Sequence, residues 1–144
     1  MAYEHVIGHR YPEGTYTIEP WEDRILRDAI GAPPARGDEA HPLWGYIAAQ
    51  SGIGTDIAGI VAPVGASPED GTMIASVDIE YEQPLRVGVE YRAGGEIVGV
   101  ERKHGRRTGP FDLFTFRIDL TAPSGERAVR MTAVWVLPRR DADV

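Results

Sequence analysis

The segment Leu43-Trp-Gly-Tyr-Ile-Ala-Ala-Gln-Ser51 is apolar on nearly every face of the helix it would form, and a surface helix needs a polar face. The rest of the chain must therefore wrap it. With 144 residues there is material for one core rather than two, so the whole of 1–144 is read as one domain. Pro42 opens this helix, and Gly52 and Gly54 close it. Ile57, Ile60 and Val61 predict a short further turn before a loop through Pro63, Gly65, Pro68 and Gly71.

After Gly71 the period of the apolar residues changes to two. Val77, Ile79 and Tyr81 alternate with Ser76, Asp78, Glu80 and Glu82 up to Pro84, the pattern of a strand with one apolar and one wet face. Three further strands are predicted: 89–103; 113–121 with Phe114, Phe116, Ile118 and Leu120 on one face; and 128–137 with Val129, Met131, Ala133, Trp135 and Leu137 on one face. The links between them are too short for a helical crossover, so neighbours run antiparallel. Gly94, Gly95 and Gly99 read as bulges or close approaches of backbone and not as a phosphate-cradling loop. Upstream, Thr15 to Ile18 would add an edge strand. Glu19-Pro20-Trp21 starts a helix with Trp21, Ile25, Leu26 and Ala29 in one apolar stripe, and Gly31-Ala32-Pro33-Pro34 stops it. A sheet wrapped around one buried helix satisfies all of these segments.

The charge balance limits the partners. Fifteen Lys and Arg against 22 Asp and Glu give a net charge of −7, which disfavours nucleic acid and anionic lipid. Zero cysteines remove disulfides, thiolate metal sites and cysteine nucleophiles, and suit a reducing cytoplasm. The amino-terminal residues have no signal-peptide apolar region, and glycines and prolines break up the charge-poor stretch 40–68, so neither export nor a membrane span is expected. His5 and His9 lack a third ligand, Ser51 and Ser76 lack a triad, and no nucleotide fingerprint is present, so no metal or cofactor is predicted. The tail 139–144, beyond Pro138, is expected to fray.

Two stretches carry a resemblance. Arg36-Gly-Asp-Glu-Ala-His-Pro-Leu-Trp44 opens the buried helix, and Val77-Asp-Ile-Glu-Tyr-Glu-Gln-Pro-Leu-Arg-Val-Gly88 crosses the first long strand and its turn. Together with the segment order over roughly residues 15–138, they resemble the MaoC-like hydratase/dehydratase branch of the hotdog fold, an α+β architecture in which an antiparallel sheet wraps a central helix. The resemblance implies a dimer or higher oligomer, homomeric or formed with a hotdog paralogue, acting on acyl thioesters of coenzyme A or an acyl carrier protein. In that family an Asp and a His hold the water that adds across an unsaturated thioester. Here His41 occupies the family's Asn place and Trp44 its His place, while Asp38 is kept in type one residue further from Pro42.

On the enzymatic reading Asp38 and His41 share proton transfer, and the amides around Trp44 and Gly45 hold the thioester oxygen, because N–H groups at a helix start are unpaired. Trp44 and Tyr46 would line an acyl tunnel, and Arg106 or Arg107, in the basic run Arg102-Lys-His-Gly-Arg-Arg107, would meet a phosphate. The plainer reading has Asp38 turning the loop, His41 capping the helix, the aromatics in the core and the basic run in a solvated hairpin. It implies an acyl-binding subunit whose partner supplies the acid–base pair. A hotdog thioesterase would instead need an acid aimed at a water, with Glu39 or Asp56 available.

Overall fold

The computed structural model describes residues 3–139. Its elements are β1 (Gly14–Thr17), α1 (Pro20–Ile30), α2 (Trp44–Gly52), α3 (Ile57–Val61), β2 (Met73–Tyr81), β3 (Glu90–Gly105), β4 (Gly109–Thr121) and β5 (Arg127–Pro138), with short 3-10 turns between some of them. The strands form one antiparallel sheet in the order β1-β3-β4-β5-β2. Helix α2 lies in the curve of this sheet and touches all five strands. This is the hotdog architecture the sequence implied.

Alternation explains the wrapper. Phe114, Phe116, Ile118 and Leu120 of β4 and Val129, Met131, Ala133, Trp135 and Leu137 of β5 point inward and are buried, and Phe116 meets Trp135 edge to face at 4.8 Å between centroids. The helix turns small residues to the sheet: Gly45, Ala48, Ala49 and Gly52 are buried. A Cβ on Gly52 would sit 3.1 Å from the Cβ atoms of Tyr16 and Ala93, and one on Gly14 would run into the Gly52 carbonyl oxygen. Close approach of backbones, more than side-chain bulk, thus seats the helix.

Four local departures from the sequence pattern have physical causes. β4 begins at Gly109, opposite Gly105 across the hairpin, and the sequence pattern starts only at 113 because the fully buried Asp112 occupies a core-facing position and breaks the apolar alternation. Arg102 Nε, at 2.5 Å, and Arg139 Nε, at 2.8 Å, neutralise it, and Arg139 N–H also donates to the Pro110 carbonyl at 2.9 Å. Arg139 is therefore fastened, whereas 140–144 lie outside the described residues. β2 begins already at Met73, and the alternation is legible only from Ser76 on because a bulge between Ile74 and Ser76 shifts the register. Helix α2 begins at Trp44, after a turn in which the His41 and Pro42 carbonyls accept from Trp44 and Gly45 N–H at 3.0 and 3.1 Å. Finally, the apolar stripe of α1 is split: Leu26 packs against the core, whereas Trp21, 54% exposed, Ile25, 57% exposed, and Ala29 face out, and Asp23 on the inner side is 2% exposed.

Candidate functional site

Asp23 explains why α1 presents a polar face to the core. Its Oδ1 accepts His41 N–H at 2.9 Å and the Trp44 indole N–H at 3.1 Å, and its Oδ2 accepts Arg27 Nε at 2.8 Å. Burial opposes ionisation of this carboxyl, but the donors from His41, Arg27 and Trp44 prevail and hold it below the ordinary carboxylate range. Arg27 continues the tie, donating to the Pro33 and Glu39 carbonyls at 3.0 and 3.2 Å. One buried ion pair thereby fixes the loop that leads into α2.

On its other side this loop is zipped to the turn after β2. Ala40 N–H donates to the Leu85 carbonyl and Val87 N–H to the Asp38 carbonyl, both at 2.8 Å, while Arg86 Nη1 stands 2.5 Å from Asp38 Oδ1 on the exposed surface. The two stretches that carry the family resemblance are thus brought side by side.

At the start of α2, His41 Nδ1 accepts Leu43 N–H at 3.0 Å. The Tyr81 phenol accepts Gly45 N–H at 3.0 Å and donates to the Pro42 carbonyl. Gly45 makes that approach feasible, since a Cβ there would lie 2.8 Å from the phenol ring carbon Cζ. Burial pushes the Tyr81 hydroxyl above its ordinary pKa, so it stays protonated at neutral pH. A cavity of about 310 Å³ adjoins it, lined by Glu39, Ala40, Pro42, Tyr81, Gln83 and Leu85 among others.

The predicted residues fall into two groups. Asp38, His41, Trp44 and Gly45 gather at the helix start, with Tyr46 half-buried one position on, and four groups there have partners: Asp38 Oδ1 has Arg86, His41 Nδ1 has Leu43 N–H, the Trp44 indole has Asp23 and Gly45 N–H has Tyr81. Arg106 and Arg107 sit exposed in the β3–β4 turn, beyond the pair Gly105↔Gly109. Tyr81 pairs with Val129, and Val129 with Leu120, at the opposite end of the sheet, roughly 35 Å away along β4 at the ordinary strand rise. The structure does not bring these arginines to the helix start. Glu39 lines the cavity, whereas Asp56 caps α3 by accepting Gly59 N–H at 2.8 Å. Among the described residues no group of three or more His, Asp or Glu could hold a metal ion, and no single helix is long and apolar enough to cross a membrane.

Sequence reasoning missed Asp23 and Tyr81 as parts of this site. Asp23 falls outside the apolar stripe that the sequence assigns to its helix, and Tyr81 reads as one more residue on the apolar face of its strand. Arg86 stood inside a quoted motif but carried no role.

No family model and no curated protein matches the sequence, but solved structures share its architecture. The chain is similar to a chain of the HadBC (3R-hydroxyacyl-ACP dehydratase) complex of Mycobacterium tuberculosis, with a TM-score of 0.70 and 14% identity over 91% of this chain and 96% of that one. It is similar to a chain of the ChsH1-ChsH2 complex of the same organism, at 0.72 and 14% over 94% and 88%. It is also similar to R-hydratase PhaJ1 of Pseudomonas aeruginosa, at 0.59 and 13% over 93% and 83%. These likenesses establish the fold that the chain shares with MaoC-like hydratases and dehydratases.

Proposed function

We propose that this chain is the acyl-binding subunit of a heteromeric MaoC-like hydratase/dehydratase, in which a hotdog paralogue supplies the acid–base pair. The substrate class is an acyl thioester of coenzyme A or of an acyl carrier protein, and the reaction is addition or removal of water next to the thioester. The observation that carries this reading is the helix start, where Asp38 Oδ1, His41 Nδ1, the Trp44 indole N–H and Gly45 N–H are all engaged in holding structure. Trp44 stands at the family's His place and spends its N–H on Asp23, His41 Nδ1 caps Leu43, and Asp38 faces Arg86. Hydration needs a base poised over a water and free donors for the enolate oxygen. A thioester oxygen reaching Gly45 N–H would first have to displace the Tyr81 phenol. The likeness to chains taken from two-component complexes supports the same reading.

The cavity beside Tyr81 favours a second reading, in which the chain alone hydrates an enoyl thioester with Asp38 and His41 sharing the proton and the Trp44 and Gly45 amides holding the oxygen. Assays of the purified chain, alone and co-expressed with a neighbouring hotdog paralogue, on a crotonyl thioester separate the two. The proposal expects no turnover from the chain alone, turnover from the pair, and a pair carrying Asp38→Asn within about twofold of wild type. Turnover by the chain alone that Asp38→Asn abolishes would establish the second reading, and thiol release with the enoyl absorbance unchanged would point to a thioesterase through Glu39.

A further inference from the structure

The Tyr81 hydroxyl closes a set of three groups. It accepts Gly45 N–H at 3.0 Å and donates to the Pro42 carbonyl, and that carbonyl also accepts Gly45 N–H at 3.1 Å. Both backbone groups belong to the turn that opens α2, where N–H groups lack the regular helical partner and take a side chain or a ligand instead. The phenol arrives from 36 residues further along the chain. It fits because position 45 has no side chain, since a Cβ there would run into the phenol oxygen.

Two observations mark this contact as exchangeable. Tyr81 is 38% exposed, and it lines the cavity beside Pro42, so the ring has room on its open side. Its backbone is fixed by contrast: Tyr81 pairs with Val129, and Glu82 N–H donates to the Ala128 carbonyl at 2.8 Å. Leaving the helix start therefore takes a change of side-chain rotamer and no shift of the strand.

We propose that Tyr81 is a stand-in for the ligand: its hydroxyl keeps the place of a ligand hydroxyl at the start of α2 and yields it when a 3-hydroxyacyl thioester enters. The inference rests on the acyl-thioester reading above and adds which form of the acyl chain the site selects. A protonated phenol offers an acceptor and a donor on one atom, and an aliphatic hydroxyl offers the same pair. An acyl chain without a hydroxyl can accept Gly45 N–H through its thioester oxygen but has nothing to donate to Pro42. That carbonyl then loses the donor it had, and a site built to pair with a hydroxyl discriminates against an analogue that lacks it. Tyr81 thus acts on specificity by competition, because a ligand must replace both of its hydrogen bonds to displace it.

Isothermal titration calorimetry of the full chain and of Tyr81→Phe tests this, with circular dichroism as the control for folding. The ligands are butyryl- and 3-hydroxybutyryl-coenzyme A, which differ by one hydroxyl. Wild type is expected to bind the hydroxylated ligand about fivefold or more tighter than butyryl. The variant no longer competes for Gly45 N–H and Pro42, and is expected to bind both ligands about threefold or more tighter than wild type while keeping their order. A phenol that only supports the fold predicts the opposite, since its loss would loosen the site. Equal affinities of wild type for the two ligands would overturn the inference, and that comparison needs no variant. So would a folded Tyr81→Phe that binds no tighter than wild type. If neither ligand binds wild type, the acyl-thioester reading falls and the inference with it. Enoyl absorbance developing in the hydroxybutyryl samples would count against the non-catalytic reading alone, so the two failures are distinguishable.

Discussion

Replacing Asp23 by alanine should lower the midpoint of thermal unfolding by on the order of 10 °C, read by differential scanning calorimetry. The change strands three donors at once: His41 N–H, the Trp44 indole and the Arg27 guanidinium. Arg27 and Asp23 side chains are 13% and 3% exposed, so solvent cannot replace the lost partner. Removing one member of such a buried pair costs about 3–5 kcal/mol. Asp23→Asn keeps an acceptor for His41 and Trp44 but loses the ion pair, and should fall between alanine and wild type. A loss below about 1 kcal/mol for alanine would mean that the clamp is worth no more than a surface pair.

The pH dependence of the same clamp has a definite sign. The folded pKa of Asp23 is depressed below its ordinary 3.8, so its contribution is full above the unfolded pKa and disappears as pH falls through the folded one. Between pH 5 and 2 wild type should lose stability more steeply than Asp23→Asn, and the two unfolding curves should converge at the acid end. Parallel curves would remove Asp23 from the acid response.

The second large effect is expected from Gly14→Ala. A Cβ there meets the carbonyl oxygen of Gly52, an atom of backbone that no rotamer change can move aside. Either β1 leaves β3 or the end of α2 lifts off the sheet. Overpacking of this kind costs about 3 kcal/mol or more, and hydrogen exchange should show lost protection in β1 and α2 together. Protection lost in β1 alone would show that the helix is seated by other contacts. The test bears on the site as well, since α2 carries Trp44 and Gly45 at its other end.

Sequence and structure divide along physical lines. Period-two alternation depends only on which face of a strand is dry, so the inward rows of β4 and β5 could be read residue by residue, and an all-round apolar helix forces burial wherever the chain runs. Local pattern failed where a polar residue was buried with a distant partner. Asp112 meets Arg102 and Arg139 across strands, and Asp23 meets His41 and Trp44 across a loop. Such groups look like surface residues in a sequence, because their desolvation is offset by partners that adjacency does not reveal. For the same reason the apolar stripe of α1 was only partly informative: Leu26 packs inward, but the clamp turns Trp21, Ile25 and Ala29 outward.

The sequence by itself determined that a short apolar helix is enclosed by an antiparallel sheet, and that the residues at its start depart from the catalytic pattern they resemble. Only the tertiary structure decided what those residues do instead. Hydrogen-bond partners are set by distances of about 3 Å between groups far apart in the chain, and those distances exist only once Asp23, Arg86 and Tyr81 have been folded onto the loop and the start of α2.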